Sequence, residues 1–344
     1  MKIEKKVLAK LDRCYAPSST VVGGELRILH ATEGHGPCYQ FRGKDFEQST
    51  VWDGPGGTMT MVPIPGKNGD FLAVQNFFPT FQAEGATIGW AIPRADGGWD
   101  IETVLSLPYT HRFDILPVNG INYFLAATLC TSKKDKDDWS DPGKIYVGIL
   151  PDQPGPFEVR PIKDGLVRNH GYVRVCRNGK TAGLVTCDQG AFLVTPPPQP
   201  NEAWSVETVM DVPIGDIAIC DIDQDGEDEF LTVEPFHGTK LGIRKKINGK
   251  YETVWEYPKS ADFGHVAWGG MLRGVPTFIG GCRKESADLF YVQCESTSPL
   301  KFKFGLIEAA QGPSNVAVVP GEDRDIIIAA NRMVGEAVLY FVTD

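Results

Sequence analysis

Short apolar runs separated by polar, glycine-rich turns recur along the whole chain. The runs are roughly four to eight residues long and rich in Val, Ile, Leu, Phe and Tyr, which predicts strands. No segment keeps a 3.6-residue period for the ~12 residues of a typical helix. The clearest unit opens with Gly215-Asp-Ile-Ala-Ile-Cys-Asp-Ile-Asp-Gln-Asp-Gly226 and runs on through Glu-Asp-Glu-Phe-Leu-Thr-Val-Glu234. It closes with Lys240-Leu-Gly-Ile-Arg-Lys-Lys and Tyr251-Glu-Thr-Val-Trp-Glu-Tyr257.

The same four-run grammar restarts at His111, His170 and His265. First strands open near Ser18, Thr58, His111, His170, Asp216, His265 and Asn315, in steps of 40 to 59 residues. A four-strand repeat of about 40–50 residues marks a β-propeller. Seven such units predict an all-β chain, a seven-bladed β-propeller spanning residues 1–344 as a single domain. A two-sheet sandwich, the competing all-β fold, needs no such period. The last unit has three runs, Asn315-Val-Ala-Val-Val, Asp325-Ile-Ile-Ile-Ala-Ala and Ala337-Val-Leu-Tyr-Phe-Val. Its fourth strand is expected from the N-terminal run Lys6-Val-Leu-Ala-Lys-Leu11, pairing beside the last run and covering its edge.

Composition fits this reading: 38 glycines and 25 prolines supply the turns, and 42% apolar with 23% charged residues excludes a disordered or fibrous chain. No run approaches the roughly 18 apolar residues of a membrane helix. The net charge of −10 argues against nucleic acid and anionic membranes as partners. The start, Met-Lys-Ile-Glu-Lys-Lys, lacks the apolar core of a secretory signal, and the eight cysteines show no CxxC. Reduced thiols in a cytoplasmic protein are therefore expected. Walker, GxGxxG, HExxH and GxSxG motifs are absent, which disfavours nucleotide cofactors and hydrolase triads.

In a propeller blade, the starts of first strands and the loops between second and third strands share one face. That places His111, Arg112, His170, Tyr172, Asp216, His265 and Asn315 with His30, Glu33, His35, Lys133, Asp188, Glu234, His237, Arg283, Asn331 and Arg332. All six histidines fall on this face, where ligand sites tend to form. His111, His170 and His265 occupy equivalent positions, either to bind a divalent transition metal or to transfer protons. The loop Lys133-Lys-Asp-Lys-Asp-Asp-Trp139 is either a lid or a solvated excursion. On the opposite turn, Asp221, Asp223, Asp225 and Glu229 stand at positions suited to structural calcium, or form an Asx-stabilised turn without metal.

The segment Asp221-Ile-Asp-Gln-Asp-Gly-Glu-Asp-Glu229, its following apolar strand and the Phe236-His-Gly238 loop resemble the FG-GAP or VCBS repeat of β-propellers. Within that group the seven-unit chain resembles propeller polysaccharide lyases acting on uronate or rhamnosyl-glucuronate linkages, and aldos-2-ulose dehydratase. The resemblance implies a His with a Tyr for proton transfer and an Arg against the substrate's charge. Here Tyr172 follows His170, while the next strand ends Thr186-Cys-Asp188, where those lyases carry an arginine.

The expectation is a carbohydrate-active lyase or dehydratase working by β-elimination on a small sugar or oligosaccharide. His170 and Tyr172 are its preferred base and acid, with His111, His265 and His237 as further candidates. Arg112, Arg283 and Arg332, with Asp188 and Asn315, would bind the substrate. Two other readings stand beside it: a non-catalytic scaffold for protein or glycan, and a glycosidase using carboxylates such as Glu33, Asp188 and Glu234. The sequence leaves the oligomeric state open.

Overall fold

Central strands of the repeat read as unbroken apolar runs and are buried on both faces, as in Phe71–Gln75 and Asp325–Asn331. Outermost strands such as Lys250–Glu256 alternate and carry the charges. This is the pattern of sheets stacked face to face, in which the central strands are the most deeply buried. A computed structural model describes residues 1–344 except Phe81 and Asn178. Its described residues form 29 strands and no α-helix, and the fold is a β-propeller of seven four-stranded blades.

Contacts divide the chain into two compact units. Ser18–Val212 holds four blades, built on strands from Cys14–Val22, Met61–Pro63, Thr110–Val118 and Gly171–Arg177. The third of these adds a short strand, Cys130–Ser132, beside Asp141–Ile149. Its core includes Leu116, Leu125, Ile145, Val185 and Phe192. Hairpins are tight where glycine permits: Asn119 and Gly120 take φ of 51° and 80°, the left-handed pair that matches strand twist.

The other unit, Met1–Pro17 with Pro213–Asp344, holds three blades. Two are sequential, and the third joins the chain ends: Lys2–Lys10 pairs antiparallel with Glu336–Thr343, with Val7 opposite Val338. The N-terminal strand therefore supplies the missing outer strand, as the three-run last unit implies. It also begins four residues earlier than the apolar run Lys6-Val-Leu-Ala-Lys-Leu11, because backbone pairing extends over Lys2–Lys5, a segment with charges at three of its four positions.

Candidate functional site

Histidine placement follows from local irregularities in the first strands. In Ala261–Leu272 the ladder pairs Gly264 with Cys282 and Val266 with Gly281, leaving His265 as the extra residue of a bulge. In Thr110–Val118, Thr110 faces Thr128 and Arg112 faces Ala127, so His111 is the extra residue there. Bulges re-aim one side chain without breaking the strand. Both histidines are buried.

In the unit containing both termini, His265 is held from two sides. Its Nδ1 lies 2.6 Å from the carbonyl oxygen of Ser314, and its Nε2 lies 3.2 Å from the hydroxyl of Tyr15. A carbonyl can only accept, so Nδ1 carries the proton; in the neutral ring Nε2 is then the acceptor and Tyr15 donates. Tyr15 opens the strand Cys14–Val22 and is itself buried. Its backbone carbonyl accepts from the Asn315 side chain at 2.8 Å, and the Ser314 hydroxyl reaches the Cys14 carbonyl at 3.3 Å. These contacts tie Cys14 and Tyr15 to the segment that orients the imidazole.

Cationic and aromatic groups surround the pair. The Arg283 guanidinium, 8% exposed as a residue, lies 5.4 Å from the Tyr15 ring and 4.8 Å from that of Phe263. His237 stacks between Phe236 and Phe263 at 3.9 and 4.0 Å, and its ring is 5.3 Å from His265. Arg332 sits in the turn after Asp325–Asn331, against the Met333 sulfur at 3.5 Å. Of the residues singled out in the sequence, the structure thus gathers His265, His237, Arg283 and Asn315. Tyr15 lies outside the first run expected from sequence, which opens near Ser18, whereas the strand begins at Cys14.

In the four-blade unit, His111 and His170 lie ring to ring at 4.2 Å, and both are buried. The His111 carbonyl accepts from Thr60, and Arg112 donates to the Met59 carbonyl at 3.4 Å. His30 is fully buried within the strand Glu25–Thr32, not in a loop, and burial holds its pKa down at about 3, so the ring is neutral. His35 packs on Phe78 at 4.0 Å.

Tyr172 is occupied differently from the acid role expected of it. Its hydroxyl donates to Asp114 at 2.7 Å, and Arg174 grips the same carboxylate through Nε at 2.8 Å and through Nη2. Burial, then the neighbouring Asp114 charge, drives the phenol pKa well above its ordinary value. The phenol proton is thus directed at a buried carboxylate of the neighbouring blade.

The carboxylates weighed for a glycosidase are also engaged. Arg244 holds Glu234 in a two-pronged pair at 2.6 and 2.7 Å, with Thr232 donating as well. Arg168 pairs with Asp188 at 3.0 Å, while burial raises the Asp188 pKa. The Lys133–Trp139 loop folds on itself: Lys133 Nζ lies 3.3 Å above the Trp139 ring, Asp135 accepts from the backbone N–H of Asp137, and Asp138 accepts from that of Lys134.

The acidic turn lies between the strands Asp216–Cys220 and Glu229–Glu234. Oxygens of Asp221, Asp223 and Asp225 lie within 4.8 Å of one another, close enough to ligate one cation. Asp221 accepts from the backbone of Asp225 and Gly226, and Asp225 from that of Glu227 two residues on, which forms an Asx turn. Lys245 brings its ammonium to Asp223, Asp225 and Glu229 at 3.0, 2.7 and 2.6 Å. Lys245 thus supplies a cation to three of the four candidate calcium ligands.

No protein-family model and no curated protein matches this chain. Among solved structures, it is similar to a candidate 6-phosphogluconolactonase of Bacteroides fragilis, with a TM-score of 0.56 and 12% identity over 92% of this chain and 88% of that one. A second candidate 6-phosphogluconolactonase, from Bacteroides uniformis, aligns with a TM-score of 0.55 and 10% identity over 86% and 85% of the two chains. At such identities the likeness is one of fold. No helix among the described residues is long and apolar enough to cross a membrane.

Proposed function

We propose that this chain is a carbohydrate-active enzyme whose reaction turns on proton transfer, with β-elimination from a uronate or keto sugar as the reaction class. The observation that carries the reading is the Tyr15–His265 hydrogen bond, with the imidazole tautomer fixed by Ser314. A proton next to a carboxylate or carbonyl is weakly acidic until the developing negative charge is met by a positive group. Arg283, set beside the Tyr15 ring, is the cation for that purpose. As the phenol oxygen takes the carbon-bound proton, its own proton passes to Nε2. The C–H electrons form the double bond, the adjacent C–O bond breaks, and the departing oxygen recovers a proton through the same pair. His170 and Tyr172, the pair favoured from sequence, yield this role to His265 and Tyr15, because the Tyr172 hydroxyl is bound to Asp114.

The structural neighbours favour one second reading, hydrolysis of a sugar lactone, since both are named as candidate lactonases. There His265 would draw a proton from water attacking the ester carbonyl. One set of assays tests both. Ultraviolet absorbance of a conjugated product from uronate oligosaccharides or keto sugars supports elimination. Acid release from a lactone without that absorbance supports hydrolysis. Neither signal from the purified protein, or turnover unchanged in both Tyr15→Phe and His265→Gln, defeats the proposal.

A further inference from the structure

In the unit Ser18–Val212 a cavity of about 330 Å³ opens between the strands Asp141–Ile149 and Val159–Leu166 and the segment carrying Pro200 and Trp204. That is the lower end of the roughly 300–1,000 Å³ range of small-molecule sites. Tyr123 lines it and is 1% exposed, yet its hydroxyl has no hydrogen-bond partner among the described residues. A buried hydroxyl left unpaired costs about 1–3 kcal/mol, and since this one is closed off from solvent, a ligand oxygen meets it only as the cavity wall yields on binding.

The walls restrict what that ligand is. Trp204, half-buried, meets the Tyr123 ring edge-on at 5.5 Å and 85°, so the two rings form an apolar corner rather than a closed stack. Val147, Val159 and Ile149 extend the apolar wall, and Ile149 is 43% exposed. Glu158 and Arg160, both exposed on one edge, add an acceptor and a donor of opposite charge. A flat ligand with one C–H face for the indole and a rim of hydroxyls for Tyr123, Glu158 and Arg160 matches every wall. A purely apolar ligand would leave the hydroxyl unpaired, and a doubly charged anion would face Glu158.

We infer that this cavity binds a single pyranose unit of a glycan, as a site separate in its residues from Tyr15, His265 and Arg283. It stands on its own lining and survives if the catalytic reading fails.

The test is saturation-transfer NMR of the full chain with methyl glycosides of glucose, galactose and glucuronic acid, followed by titration of any that respond. Binding by the wild type is expected. Tyr123→Phe should weaken it about fivefold, the worth of one net hydrogen bond, without lowering Tm, because the lost hydroxyl had no partner. Trp204→Ala should abolish the signal, and Arg160→Gln, at an exposed position, should reduce it while leaving the fold intact. No transfer to any of the glycosides overturns the inference, as does equal affinity in Tyr123→Phe and Arg160→Gln. Turnover in the elimination and lactone assays should be unchanged by Tyr123→Phe, which keeps the two proposals distinguishable.

Discussion

Tyr15 and His265 stand 250 positions apart in the chain, and their side chains meet at 3.2 Å with the proton direction set by Ser314. The contact joins the opening of one strand to a bulge in another, so both partners are held by backbone geometry rather than by flexible loops. General acid–base groups typically contribute 10²–10⁴-fold, so Tyr15→Phe and His265→Gln should each lower turnover by about 10²-fold or more. The paired loss should be far less than multiplicative, because the two act as one unit. Steady-state rates of the single and double variants check this; multiplicative losses would show that they work independently.

Arg283 should act through substrate charge. Arg283→Lys keeps the charge but loses the planar fork, so a rise in KM of about tenfold is expected for acidic sugars, against little change for neutral ones. Equal effects on charged and neutral substrates would remove Arg283 from substrate binding.

Much of this arrangement is written in the order of residues. Repeating apolar runs specify the blades because each sheet buries both faces of its inner strands, and the three-run last unit calls for the N-terminal strand. The bulges at His111 and His265 are not legible, since a bulge is a mismatch between two strands and neither strand shows it alone. The surroundings of Tyr172 are hidden in the sequence for a related reason. Its partner Asp114 is an ordinary strand residue, and only packing of one blade on the next brings it to the phenol and to Arg174, two residues further along the strand of Tyr172. Lys245 likewise gives no sign, 20 residues from Asp225, that it will meet that carboxylate.

Tyr172→Phe should therefore lower stability by about 1 kcal/mol, the usual net worth of a hydrogen bond, and leave turnover intact. Thermal melts and initial rates of one variant decide the matter. A large loss of turnover with unchanged Tm would return Tyr172 to the reaction.

Lys245→Met removes the ammonium that Asp223, Asp225 and Glu229 share, and Glu229 is almost wholly buried. Uncompensated carboxylates should destabilise the blade by about 3 kcal/mol. Calcium at millimolar concentration should recover part of that loss, since Asp221, Asp223 and Asp225 offer only oxygen ligands. In the wild type, EDTA should leave Tm unchanged because the Lys245 ammonium already sits among Asp223, Asp225 and Glu229. Identical melts for variant and wild type would show that the lysine is dispensable.

Removing residues 1–11 strips the outer strand from Glu336–Thr343 and breaks the ion pairs of Lys5 with Glu308 and Glu336 at 2.9 and 3.0 Å. An exposed strand edge recruits other chains, so a lower Tm and concentration-dependent aggregation are expected. Val7→Pro tests the same ladder with the chain intact, since proline cannot donate to it. Light scattering and melts matching the full-length protein would mean that the terminal strand adds nothing to the fold.

Glu234 gives a pH dependence with a defined sign. Burial alone would raise its pKa, but hydrogen bonds from Arg244 and Thr232 outweigh it and hold the carboxyl below its ordinary value. A depressed folded-state pKa contributes stability that is present above the unfolded value, about 4.3 for a glutamate, and is lost as pH falls through the folded value. In Arg244→Gln the pair is gone and burial of Glu234 dominates, so its pKa should rise instead. The variant should melt below the wild type at neutral pH, and the gap should narrow once both carboxyls are protonated, below about pH 4. Melting curves across that range, with Thr232→Val as a milder control, read the effect. A gap that stays constant from neutral to acid pH would show that Arg244 stabilises by packing its stem and not by its charge.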